Sequence, residues 1–295
     1  MIDSPLVEAL IAEQFPQWQD LPVRQVLPGG WDNRTFRLGD DLSVRLPSSE
    51  GYVLQVEKEQ RWLPVLGPRL PLAIPEPVGI GRASERFPHP WSVYRWLPGR
   101  PPEREQVADD VTLAAALADF LVALQRADAA GGPLPGPHNF LRGDSPRVYE
   151  ADTLRAIEAL GATIDAPAVR EVWQAATATT WQEPAVWFHG DVSEGNLLVD
   201  DGGRLSAVID FGTAGIGDPA CDLVVAFTTM RGEAREAFRE HRGLDGDTWA
   251  RARGWAIWKA LIVAAGFAGS HSPESEVRRA RRTIDEVLED HRRTR

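Results

Sequence analysis

The sequence predicts an α+β chain of two lobes: a small N-terminal lobe with a five-stranded antiparallel sheet plus one helix, and a larger, mostly helical C-terminal lobe. Three observations carry this. Short strand signals separated by glycine-bearing turns, with one helical stretch among them, fill residues 1–97. Pro98-Gly99-Arg100-Pro101-Pro102 then breaks regular structure, and the composition changes there. Beyond it apolar residues recur at helical spacing, apart from one hairpin pattern between Ala185 and Ile209. The expected division is therefore 1–97 and 98–295.

Each element has a local reason. Ser4–Phe15 reads as a helix, with Ser4 placed to cap it, Pro5 in the first turn, and Leu6, Leu10 and Ile11 on one face. Strands follow at Arg24–Leu27, Thr35–Leu38 and Leu42–Leu46, parted by turns at Gly29-Gly30 and Gly39-Asp40-Asp41. Val53–Leu66 has helical period, with Val53, Val56, Trp62, Leu63 and Leu66 as its apolar set. A proline-rich stretch, Pro68–Pro77, leads to strands at Val78–Gly81 and Trp91–Leu97. In the second lobe Asp109 or Asp110 caps a helix to about Ala127, with Leu113, Leu117, Phe120, Leu121 and Leu124 on one face. Helices near Val148–Leu160 and Ala168–Trp181 precede a strand signal at Ala185–Phe188. Leu197–Val199, the turn Asp200–Gly203 and Leu205–Ile209 make a hairpin. Asp218-Pro219 reads as a helix cap and first-turn proline, and four helical patterns run from there to the end.

Composition excludes several classes. The net charge of −11 disfavours nucleic acid, whose phosphates need a basic surface, and suits cationic ligands. The single cysteine, Cys221, rules out an internal disulfide and a cysteine zinc site. No secretory signal is visible, and the most apolar stretch, Ala256–Ala268, contains Lys259 and is too short to span a bilayer. A cytoplasmic protein that binds neither membrane nor nucleic acid is expected; the oligomeric state is left open.

The chemistry sits in His189-Gly190-Asp191-Val192-Ser193-Glu194-Gly195-Asn196 and Ile209-Asp210-Phe211-Gly212. These read H-G-D-x-x-x-x-N and D-F-G, with Asp210 fourteen residues after Asn196 across the hairpin. Phosphoryl transfer from a nucleoside triphosphate needs these parts: one carboxylate to take or orient the acceptor's hydroxyl proton, and an amide oxygen and a second carboxylate to hold magnesium against the phosphates. The segment from His189 to Leu223 resembles the aminoglycoside phosphotransferase family, small-molecule kinases with a protein-kinase-like fold, and the likeness extends over most of the chain. The resemblance implies Asp191 as catalytic base, Asn196 and Asp210 as metal ligands, His189 as a brace of the loop, and Asp222 in Gly217-Asp218-Pro219-Ala220-Cys221-Asp222 as a structural acceptor.

The same resemblance assigns a nucleotide site, for ATP or GTP with Mg²⁺. Gly29 and Gly30, in Pro28-Gly29-Gly30-Trp31-Asp32-Asn33, would bring backbone amides close to phosphate. Arg45 stands where the kinase pattern has a lysine; its planar fork of donors suits phosphate, with a different geometry. Glu59 is its expected partner, with Glu57 as the fallback. The segment Tyr94–Leu97, including Trp96, is the candidate backbone edge for the base.

The acceptor is less legible. Only a handful of residues separate D-F-G from the next helix, with no A-P-E element, so a small-molecule hydroxyl is favoured over a protein. A polycationic sugar needs converging carboxylates; Asp245 and Asp247 are candidates by position, with Asp247 better suited to a helix cap. Trp249, Trp255 and Trp258 are flat surfaces for a ring or, more ordinarily, core. An aminoglycoside is the leading acceptor, with choline, homoserine, a thio-sugar or a macrolide as alternatives. A nucleotide-binding scaffold without transfer is permitted by Arg45 but opposed by the joint presence of Asp191, Asn196 and Asp210. A metal-dependent hydrolase on His189 and Asp191 is weaker still, because His89, His138, His241, His271 and His291 show no ligand spacing with them.

Overall fold

Strand alternation decides the architecture of the N-terminal half. In β3 (Leu42–Pro47), Leu42, Val44 and Leu46 point to one face, and Ser43 and Arg45 to the other. The computed structural model describes residues 2–27, 29–30, 32–102, 107, 109–268 and 273–294. Met1, Pro28, Trp31, His271 and Arg295, named in or bordering the expectations above, lie outside them. With β1 (Val23–Gln25), β2 (Asn33–Leu38), β4 (Pro77–Gly81) and β5 (Trp91–Arg95), β3 forms an antiparallel sheet in the order β1-β2-β3-β5-β4. Helix α1 (Ser4–Gln14) buries Val7, Leu10 and Ile11 against Phe36, Leu38, Val44, Leu46, Trp91 and Val93. Helix α2 (Val53–Leu66) covers the opposite face, where its Gln60 donates to Ser92 Oγ at 2.9 Å and Tyr94 meets Glu59. The sheet is thus sandwiched between two helices, and the Arg45 face looks toward α2.

The C-terminal half is helical: α3 (Asp110–Arg126), α4 (Glu150–Leu160), α5 (Ala166–Thr177), α6 (Val225–Thr228), α7 (Gly232–Arg242), α8 (Gly246–Ala264) and α9 (Glu274–Arg293). Between α5 and α6, β7 (Leu197–Val199) and β8 (Leu205–Val208) form the expected hairpin, and β6 (Val186–Phe188) pairs with β9 (Gly215–Gly217). The hairpin is stitched on one edge to the N-terminal half and on the other to the segment just after it. Val208 N–H donates to Ala73 O at 3.0 Å, and Val199 N–H donates to Arg100 O at 2.8 Å. One large core joins Leu63, Leu66 and Tyr94 of the first half to the helices of the second.

Several boundaries differ from expectation. Asp3, rather than Ser4, caps α1, because its carboxylate reaches Leu6 N–H at 3.1 Å. Of the two caps expected for α3, Asp109 is the one used, accepting from Val111 and Thr112 N–H. Asp165 caps α5, which starts two residues earlier than the apolar pattern and ends at Thr177. Asp245, rather than Asp247, caps α8, accepting from Thr248 N–H at 2.7 Å and its hydroxyl at 2.7 Å. The last sheet strand stops at Arg95, short of Leu97.

Candidate active site

The loop 189–196 is held from below by Asp222. Its two carboxylate oxygens accept from His189 N–H at 2.9 Å and Gly190 N–H at 2.6 Å. Asp222 is fully buried, and burial pushes its carboxyl above the ordinary range although His189 and the two amides oppose this. Gly190 has φ +87°, and a Cβ there would lie 2.7 Å from Thr213 O, so only glycine fits. The His189 ring bonds Ile209 O at 3.0 Å through Nε2 and packs edge-on to Phe211. His189 therefore braces the loop and leaves Asp191 to face the cleft.

The hairpin returns Asp210 beside this loop, with Ile209 N–H donating to Asn196 O at 2.9 Å. Asp210 adopts φ +67°, a left-handed conformation that costs energy for a residue with a Cβ. Arg45 crosses from the sheet to meet it: Nη2 donates to Asp210 Oδ1 at 2.6 Å, and Nη1 lies 3.5 Å from Glu59 Oε1. Burial alone would lower the guanidinium pKa, but Asp210 and Glu59 override it and hold Arg45 firmly charged. Glu59 is buried and Glu57 exposed, so Glu59 is the residue that meets Arg45. Tyr94 completes this arrangement by donating its hydroxyl to Glu59 Oε2 at 2.6 Å.

Asp191 and Asn196 are tied directly. Asn196 Nδ2 donates to Asp191 O at 2.9 Å and to Asp191 Oδ2 at 3.1 Å. That orientation leaves the Asn196 amide oxygen without a protein donor among the described residues. With the Asp210 carboxylate it could offer two hard oxygen ligands, a number too small for a dedicated cage and one that would fit Mg²⁺ completed by phosphate and water.

Some expected residues stand differently. The Tyr94 ring is buried, and Trp96 N–H donates to Asp41 O at 2.8 Å while Arg37 lies over its ring, so the side chains and this one N–H are already engaged. Leu97, next in line, is the member of this edge whose backbone has no such partner among the described residues. Gly29 and Gly30 are exposed, and a Cβ at Gly29 meets nothing within 4 Å, so packing does not explain the glycine. Trp249, Trp255 and Trp258 are buried, as core would be, and Asp245 is consumed by its cap.

Three residues escaped the sequence reading. Gln55 donates to Asp32 Oδ2 at 3.1 Å, and Lys58 donates to Gly212 O at 2.6 Å, so one face of α2 grips both the glycine loop and D-F-G. Their signal was the i, i+3, i+4 spacing with Glu59. Lys259, on α8, donates to Asp191 Oδ1 at 2.7 Å. Burial would raise the Asp191 carboxyl, but the Lys259 ammonium overrides it and holds it below the ordinary range. A lone charge in an apolar run, four residues after Trp255, was its signal.

The family model described as "Phosphotransferase enzyme family" matches residues 23–255. The chain belongs to this family. The solved structures similar to this phosphotransferase include aminoglycoside and macrolide phosphotransferases. The GDP and kanamycin complex of APH(2")-IIia matches with TM-score 0.74 and 20% identity, over 96% of this chain and 98% of that one. The apoenzyme of macrolide 2'-phosphotransferase MphH from Brachybacterium faecium matches with TM-score 0.62 and 24% identity, over 96% and 98%. The streptomycin-ATP-APH(2")-IIa ternary complex matches with TM-score 0.61 and 16% identity, over 98% and 97%. At these identities the likeness speaks for the phosphotransferase fold. Among curated proteins none matches the sequence. No helix among the described residues is long and apolar enough to cross a membrane.

Proposed function

We propose that the protein transfers the γ-phosphoryl group of ATP or GTP to a hydroxyl of a small molecule in the cytoplasm. Residues 1–97 serve as the nucleotide lobe, and 98–295 carry the catalytic loop and acceptor site. The observation that carries this reading is the convergence of Asp191, Asn196, Asp210 and the Arg45–Glu59 pair on one cleft between sheet and hairpin. Arg45 holds the α- and β-phosphates, freed from Asp210 as it engages them. Gly29 and Gly30 allow backbone to approach the phosphates, and the backbone at Leu97 meets the base. Asn196 and Asp210 would hold Mg²⁺, which neutralises phosphate charge when bound.

Asp191 orients the acceptor. The acceptor oxygen bonds to the γ-phosphorus, and the bond from that phosphorus to the bridging oxygen breaks. The nucleoside diphosphate leaves with that electron pair, and the hydroxyl proton passes to the Asp191 carboxylate. Alignment and charge neutralisation supply most of the acceleration.

The similar structures include kanamycin and streptomycin complexes. They make aminoglycosides the first acceptors to try, with a macrolide and hydroxylated metabolites beside them. The test is Asp191→Asn. It should bind Mg-ATP with a Kd close to that of the parent in calorimetry, yet lose transfer by about 10²–10⁴-fold, the range for a positioned acid–base group. Turnover at the parental rate would refute the role.

A further inference from the structure

The cleft beside Asp191 is lined by the wrong charge for a polycation. Its walls are Arg142, Trp255, Trp258 and Lys259, and Asp191 is the sole carboxylate among the described lining residues. Asp245, the acidic residue nearest in sequence on the α8 side with a defined role, sits at that helix's N-terminus, about 20 Å from Lys259 at 1.5 Å per residue. The Lys259 ammonium already neutralises Asp191. Arg142 donates to Gly190 O at 3.2 Å and to Phe140 O at 3.3 Å and also bonds the Tyr149 side chain, and among the described residues it makes no salt bridge with a carboxylate. Its guanidinium lies over Trp255 and Trp258, 5.3 and 5.0 Å from the ring centroids. Tyr149 stacks on Trp258 at 3.8 Å, so these rings pack on one another and back the Arg142 guanidinium.

The two lysines of the whole chain are Lys58 and Lys259, among 32 basic residues. Both touch the active cleft, whereas the rest of the surface uses arginine. Lys259 is half exposed, and one of its three ammonium protons is committed to Asp191. The cleft itself is narrow, about 10 Å³, room for a single water. The Asp191 side chain is itself 35% exposed, so a reacting hydroxyl can approach it from the open side of the crevice, next to Lys259.

Resting on the phosphotransferase reading above, we propose that the acceptor is an anionic hydroxy compound whose carboxylate or phosphate is taken by Arg142 and Lys259, the two cations that flank Asp191. Lys259 passes from Asp191 to the acceptor's anion as the hydroxyl enters. The exchange leaves Asp191 free to accept the hydroxyl proton, and couples anion recognition to activation. The net charge of −11 draws cations at long range, but that field is screened beyond about 8–10 Å at physiological salt, so the local cations decide.

The experiment uses three probes of one shape, 4-(hydroxymethyl)benzoate, its neutral benzamide and the cationic benzylamine, with kanamycin as the polycation. Mg-ATP binding is titrated first; failure there sinks the phosphotransferase reading itself and is read separately. Each probe is then titrated into protein loaded with Mg²⁺ and a non-hydrolysable ATP analogue, and ADP release is followed with ATP. Expected is binding of the benzoate about tenfold or more tighter than the benzylamine, with kanamycin weakest. Lys259→Gln and Arg142→Gln should each erase most of that preference, while Lys259→Arg and Arg142→Lys, which keep the charge, retain it. Equal binding of the three probes, preference for the amine or kanamycin, no binding by any of them to protein that takes Mg-ATP, or a preference that survives both glutamine variants would overturn the proposal.

Discussion

At Asp191 two pressures oppose each other. Burial favours the neutral acid, and the Lys259 ammonium at 2.7 Å favours the carboxylate and prevails. The carboxylate therefore persists as pH falls through the ordinary aspartate range near about 4. The acid limb of kcat/KM should lie below that range, and in Lys259→Gln, where only the weaker pull of His189 and Arg142 opposes burial, it should move to higher pH. A pH–rate profile of both proteins checks this. Lys58 shows the reverse case. Burial pushes its ammonium down to about 8, against the neighbouring carboxylates Glu59, Asp210 and Asp32. Between about 8 and the ordinary 10.5, the unfolded chain holds more protons than the folded one. Stability from this group is thus complete above that window and lost as pH falls through it. The unfolding free energy of the parent minus that of Lys58→Met should grow from pH 8 to 10.5, as read by urea titration at fixed pH points across the window. Both lysines were plain in the sequence as residues. Their roles were not, because each meets a partner far away in the chain: Gly212 for Lys58, Asp191 for Lys259.

At the scale of elements, the turn that follows the hairpin and D-F-G is held by buried charge. Asp218 caps the turn after D-F-G and meets Arg251 of α8, whose Nε donates to Asp218 Oδ2 at 2.6 Å with both groups almost fully buried. Removing one partner strands the other's charge in the interior. Arg251→Met should cost about 3–5 kcal/mol of unfolding free energy, measured by urea denaturation, and lower activity by loosening the turn. The first helix offers a sharper test of a local signal. Asp3→Ala should cost about 1 kcal/mol and Ser4→Ala far less, because Asp3 makes the cap bond. The hairpin was legible because Leu197–Val199, a glycine turn and Leu205–Ile209 are neighbours in sequence. The pairing of β6 with β9 was not, since Val186 and Gly217 lie far apart along the chain and three-residue strands carry almost no pattern. Caps slipped by a residue or two because Asp3 and Ser4, or Asp245 and Asp247, offer equivalent oxygens. Only the backbone's approach angle selects between them.

For the whole molecule, the large core runs from α2 through the hairpin to the C-terminal helices, so nucleotide binding should stabilise more than the sheet alone. At one hundred times its Kd, an Mg-ATP analogue should add about 2.7 kcal/mol to the unfolding free energy. Arg45→Met, which cannot engage phosphate, should lose most of that increment; thermal melts with and without the analogue check both. Charge tells a second story at this scale. The chain is acidic overall, yet the cleft beside Asp191 is cationic, so net charge gave the opposite sign from the local field.

By itself the sequence determined the α+β class, the five strands with their helix, the hairpin, and the three oxygen-bearing residues Asp191, Asn196 and Asp210, because each depends on short-range period, turn residues or fixed spacing. It also singled out Arg45 and Glu59 through the resemblance, which supplied the long-range pairing that spacing cannot. The tertiary structure alone decided that Tyr94 serves Glu59, that α2 holds D-F-G through Lys58, and that Lys259 and Arg142 set the charge beside Asp191. Those contacts join elements distant in the chain, and it is packing of helix on hairpin, rather than local propensity, that sets which side chains meet.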